Sequence, residues 1–85
     1  MPDEEFWQTL GFVRRSDNRK NIIKELDRPL IPKEIAEETD MHQSNVSRAL
    51  KELKEKDIVE VLNPEAKTGR LYQLTGKGDK IRKEL

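Results

Sequence analysis

The sequence predicts a small α+β domain, mainly α-helical with a single β-hairpin. Three observations predict it. Apolar residues recur at helical spacing in successive stretches from Phe6 to Leu53. A β-branched run from Ile58 to Leu62 is followed, across a loop of turn-forming residues, by a second strand-like run from Arg70 to Leu74. The chain has 85 residues, enough for one domain that buries only about 60–65% of the surface its unfolded chain exposes.

A core of that size leaves little room for a deep catalytic pocket. Charged residues make up 40% of the chain and hydrophobic residues 33%, a composition close to that of disordered chains. The strong periodicity argues instead for a folded domain with a highly charged surface. There is no cysteine, which excludes a disulfide framework, a thiolate metal site and a cysteine nucleophile. No apolar run approaches the roughly 20 residues that span a bilayer. The acidic start, Met1-Pro2-Asp3-Glu4-Glu5, does not fit a secretory signal, so a cytoplasmic protein is expected. Basic and acidic residues balance at 17 each, which argues against coating nucleic acid through bulk charge. They are segregated along the chain, however. Arg14, Arg15, Arg19, Lys20 and Lys24 form a basic stretch, and Glu25 to Asp40 an acidic one. A basic face on a neutral protein is compatible with that distribution.

Each element has its own signal. Phe6, Trp7 and Leu10 share one side of a short helix from Asp3 to Leu10, with Gly11 expected to end it. Ser16 is an N-cap residue type, and Ile22, Ile23 and Leu26 after it give a helix from about Asp17 to Leu26. Pro29 stops that helix. Pro32 suits the first turn of the next, which carries Ile35 and Ala36 and runs to about Thr39. Asp40-Met41 makes a tight turn with Met41 inward. From about Gln43 to Lys56 the pattern is clearest: Val46, Ala49, Leu50 and Leu53 fall on one stripe, and Ser44, Ser47, Arg48, Lys51 and Glu55 on the opposite one. Residues 63 to 69 form a loop between the two strand runs. Thr75 then caps a last helix, about Gly76 to Leu85, whose two glycines weaken its start. Two short helices joined by a tight turn make a helix-turn-helix, and the hairpin behind it makes a wing. The expected architecture is therefore a winged helix-turn-helix: a three-helix core, a wing and a C-terminal helix. Residues 1–13 are expected as a helical extension and residues 14–85 as the winged domain.

The stretch from Ile31 to Gly78 resembles the winged helix-turn-helix regulators of the MarR and ArsR type, above all their small archaeal versions. Val46-Ser47-Arg48-Ala49-Leu50, Gly69-Arg70-Leu71-Tyr72 and Leu74-Thr75 carry the resemblance, in matching order and spacing. It implies a third helix in the DNA major groove, a wing along the backbone or minor groove, and a homodimer formed through the terminal helices. The chain departs from the family in three places. Ile31 replaces the capping Ser or Thr before Pro32. Asp57 replaces the usual Gly after the third helix, at a position that often needs a left-handed backbone, which Asp tolerates better than most residues. The metal-binding Cys and His residues of ArsR-type sensors are absent.

Base readout in the major groove needs short polar side chains near a helix start, with Arg or Lys for guanine and phosphate. His42, Gln43, Ser44, Asn45, Ser47 and Arg48 supply that set, with Lys51 as a backbone contact. Lys67, Thr68 and Arg70 suit phosphate or minor-groove contact from the wing. The plain alternatives are a solvated helix face and an ordinary hairpin. Arg14, Arg15, Arg19 and Lys20 fit either backbone contacts or a solvated cluster, and Lys77, Lys80, Arg82 and Lys83 a solvated one. Phe6, Trp7, Leu10, Phe12, Ile81 and Leu85 fit either a cap on the monomer core or half of a symmetric interface. His42, the single histidine, forms neither a metal site nor a triad by itself.

No cofactor, no metal and no enzymatic activity are expected, because no paired acid and base and no phosphate-binding glycine loop is present. No effector is legible. The function expected first is that of a sequence-specific transcriptional regulator binding double-stranded DNA. The balanced charge and the acidic second helix (Glu34, Glu37, Glu38) keep open a winged-helix protein-interaction module of a transcription or replication complex. A third alternative is binding of structured RNA or of DNA without sequence preference.

Overall fold

The computed structural model describes residues 4–85. The order is α1 (Glu4–Arg14), α2 (Asp17–Glu25), α3 (Pro32–Thr39), α4 (Gln43–Glu55), β1 (Val59–Val61), β2 (Tyr72–Leu74) and α5 (Gly76–Lys83). This is the expected α+β class and the expected sequence of elements. Asp3, expected to start the first helix, lies outside the described residues.

The opening helix does not stop at Gly11. It runs on to Arg14, because Leu10 and Val13 are both enclosed in the core. Burying two apolar side chains contributes about 1.5–3 kcal/mol each, more than the roughly 1 kcal/mol that an interior glycine costs. The boundary expected after residue 13 therefore falls inside α1. Ser16 caps α2, its Oγ accepting from the Arg19 N–H at 3.3 Å. Ile31 has no hydroxyl to offer α3. Half of a capping box remains, with the Glu34 carboxylate accepting the Ile31 N–H at 2.9 Å. Asp40 ends α3 in the left-handed region, φ 57°.

The amphipathic stripe of α4 is realised as read: Val46, Ala49, Leu50 and Leu53 are buried. The helix ends one residue earlier than expected. Asp57 takes φ 61°, and the Ile58 N–H reaches back to the Leu53 carbonyl at 2.9 Å, closing the last turn. The strands are shorter than their sequence runs. They pair antiparallel, Val59 with Leu74 and Val61 with Tyr72, and one more bond joins the Leu62 N–H to the Leu71 carbonyl at 2.8 Å. Leu30, ahead of α3, pairs with the far side of Tyr72, each N–H donating to the other's carbonyl at 3.0 and 2.9 Å.

Thr75 caps α5, accepting from the Gly78 N–H at 3.0 Å and donating to the Asp57 carbonyl at 2.7 Å. Gly78 is required by packing. A Cβ there would lie 2.1 Å from the Ile58 carbonyl oxygen. One core joins all five helices and β1, with Leu10, Val13, Ile22, Ile23, Ile35, Leu50, Leu53, Ile58 and Ile81 almost fully enclosed. Leu10 and Ile81, expected as core cap or interface, are 1% and 0% exposed and keep no surface for a partner. Among the described residues no helix is long and apolar enough to cross a membrane.

Candidate nucleic-acid interface

The start of α4 is open. His42 occupies the N-cap position with an extended backbone and no side-chain capping bond. The first amides of such a helix lack intrahelical acceptors and carry the positive end of its dipole, which favours phosphate. His42, Gln43, Ser44, Ser47, Arg48 and Lys51 are all exposed. Gln43, Ser47 and Lys51 follow one another at four-residue spacing, so they form a row along the helix, with Ser44 and Arg48 beside it. Lys54 extends that row by another turn and is also exposed. Asn45 differs. It stands about 200° around the helix from Gln43, next to buried Val46, and is half-buried on the flank.

The wing brings its own set alongside. Lys67, Thr68 and Arg70 are exposed. A groove of about 260 Å³ separates the wing from the starts of α3 and α4, and Lys33, Gln43, Lys67, Arg70 and Tyr72 line it. The Leu30–Tyr72 pairing fixes this geometry, since it ties the segment entering α3 to the strand leaving the wing. Lys33 is the residue that sequence reasoning missed. It follows Pro32 at the start of α3, and no local pattern announces that the wing returns beside it.

Charge pairing sorts the cations. Among the described residues, Arg19, Lys20, Arg28, Lys77 and Lys83 are in ion pairs. Arg14, Arg15 and Arg82 donate to backbone carbonyls of Glu84, Gly11 and Lys24. Lys33, Arg48, Lys51 and Lys67 have no such partner, and Arg70 has only a bond from Nε to the Ala66 carbonyl at 2.9 Å. Lys33, Arg48, Lys51, Lys54, Lys67 and Arg70 thus share α4 and the groove beside it without an acidic partner among the described residues, while Lys24 on α2 and Lys80 on α5 stand without one elsewhere. Most of the N-terminal basic stretch is committed to structure, with exposed Lys24 the exception: Arg19 stacks over the Phe12 ring at 3.7 Å and reaches Glu52 on α4 at 3.2 Å.

A family model described as the HVO_A0261 N-terminal domain matches residues 7–85. The chain belongs to this family. Solved structures share the family's fold as seen here. A MarR family transcription regulator, SP03579, is 21% identical with a TM-score of 0.71, covering 91% of this chain and 58% of its own. ZitR from Lactococcus lactis, solved in complex with DNA, is 22% identical with a TM-score of 0.71, over 91% of this chain and 67% of its own. The homodimeric winged helix-turn-helix domain of Mb0332 from Mycobacterium bovis, a possible ArsR-family regulator, is 21% identical with a TM-score of 0.70, over 93% and 70%. The chain therefore spans little more than half the length of the first of these. No curated protein matches it.

Proposed function

We propose that the chain is a sequence-specific, double-stranded DNA-binding domain of a transcriptional regulator. The observation that carries this is a cluster of cations: exposed Arg48 and Lys51 on α4, with Lys67, Arg70 and Lys33 around the adjoining groove, none of them in an ion pair, in a chain of zero net charge. In this reading α4 enters the major groove. Gln43, Ser44, Ser47 and Arg48 meet base edges, Lys51 meets the backbone, and His42 and Asn45 flank the helix start. Lys67, Thr68 and Arg70 follow the backbone or minor groove. No catalytic step and no cofactor belong to this reading, and its place is the cytoplasm.

The chain works as a homodimer through α1 and the end of α5. Trp7, 50% exposed, is the centre of that interface, with Phe6 edge-on to it at 5.6 Å between ring centroids and Leu85 half-buried at the end of the chain; Phe12, the other aromatic expected there, is instead covered by Arg19 and Lys56. Sedimentation that shows only monomer at all concentrations would contradict the dimer. Selection from a randomised duplex pool at two salt concentrations tests the binding itself. An enriched half-site is expected, with log affinity falling by about 0.9 per phosphate contact for each tenfold rise in salt. A pool that yields no enrichment and no salt dependence contradicts it, and favours a protein-interaction module.

A further inference from the structure

We infer that Asn63 is a positioning residue that sets the wing's Arg70 for DNA; the inference rests on the binding mode proposed above. The two strands have only three residues each, and regular pairing ends at the Leu62–Leu71 bond. Beyond that bond the wing has no ladder to hold it. The Asn63 side chain takes over. Its Oδ1 accepts the Leu71 N–H at 2.7 Å, and its Nδ2 donates to the Gly69 carbonyl at 3.2 Å. One amide thus grips the main chain on both sides of residue 70. The Asn63 carbonyl also accepts the Ala66 N–H at 3.0 Å, closing a turn with Pro64 at its second position. Gly69 sits at φ 65°, a left-handed backbone that the Nδ2 bond holds.

The consequence falls on the guanidinium of Arg70. Its Nε is spent on the Ala66 carbonyl at 2.9 Å, inside the turn that Asn63 closes. The two terminal nitrogens have no partner among the described residues, and the Nε bond holds them as a fork suited to a phosphate or a minor-groove edge. Ordering a long side chain before binding removes an entropy cost that would otherwise weaken association.

The test is a double-mutant cycle on the full chain with a duplex selected from the random pool. Wild type, Asn63→Ala, Arg70→Ala and the double variant are compared in affinity across salt, with thermal unfolding followed for each. Arg70→Ala is expected to weaken binding about fivefold to tenfold and to lower the salt slope by about 1. Asn63→Ala, which leaves the cation in place, is expected to do the same, and the double variant to bind no worse than Arg70→Ala. Exchange of the Leu71 amide is expected to speed up in Asn63→Ala while the melting temperature stays. Wild-type-like binding by either single variant overturns the inference. So does multiplication of the two effects, because a purely structural Asn63 would act independently of Arg70. A wild-type chain that binds no duplex overturns the DNA-binding reading as well, and so separates the two failures.

Discussion

Arg19 lies between α1 and α4 with its guanidinium over Phe12, whereas Arg48 extends from α4 with no partner. The same side chain is a structural tie in one place and a free fork in the other. Replacing Arg48 by Ala removes no hydrogen bond or ion pair among the described residues, so the melting temperature is expected to hold. Affinity for a selected duplex is expected to fall by about 1–3 kcal/mol with relaxed base preference, if the fork pairs with guanine. Competition binding with single-base variants of the site checks this. A second residue-scale expectation concerns Glu25. Its pKa is raised by a hydrogen bond with Glu38, then by burial and by the charges of Glu38 and Asp27, with Arg28 opposing. The folded chain thus holds the proton more tightly than the unfolded one. This contribution is complete below the unfolded carboxylate's pKa and is lost as pH rises through the raised value. Glu25→Gln is therefore expected to melt above wild type at neutral pH, with the gap closing in acid. A gap that widens in acid would contradict the sign.

At the scale of elements, the two glycines of interest are opposites. Gly11 sits inside α1 with nothing within 4 Å of where a Cβ would project. Gly11→Ala is expected to stabilise the chain by about 0.5–1 kcal/mol. Gly78 lies against the Ile58 carbonyl, and Gly78→Ala must push α5 off the backbone that leads into β1. It is expected to destabilise by about 1–3 kcal/mol. Denaturant unfolding of both variants checks the pair. These glycines also mark what sequence could tell. The stripe of α4 was legible because Val46, Ala49, Leu50 and Leu53 repeat at helical spacing, and Ser16, Thr75 and Asp57 because each residue type suits its cap or turn. Gly11 was misread because propensity knows nothing of the core that holds Leu10 and Val13. The Leu30–Tyr72 pairing and the Asn63 grip join residues brought together only by the folded chain, so no local pattern carries them.

At the scale of the molecule, the core runs through every helix and gives a radius of gyration of 12.1 Å, near the value of about 12 Å for a compact chain of this length. An apolar stripe in sequence states that a side chain is covered, and leaves open by what. That is why Leu10 and Ile81 fitted an interface on paper and belong to the core in the structure, while Trp7 remains half-exposed. The candidate site divides in the same way. The α4 face was readable residue by residue, but its junction with the wing, and Lys33 within it, depends on the hairpin folding back beside α3. The central claim is that α4 and the wing form one DNA-binding face. The most direct measurement is backbone amide shift mapping during titration with a selected duplex. Shifts concentrated at residues 42–51, 63–70 and Lys33 are expected. Shifts confined to the α1 face around Trp7, or to the acidic side of α3, would contradict it.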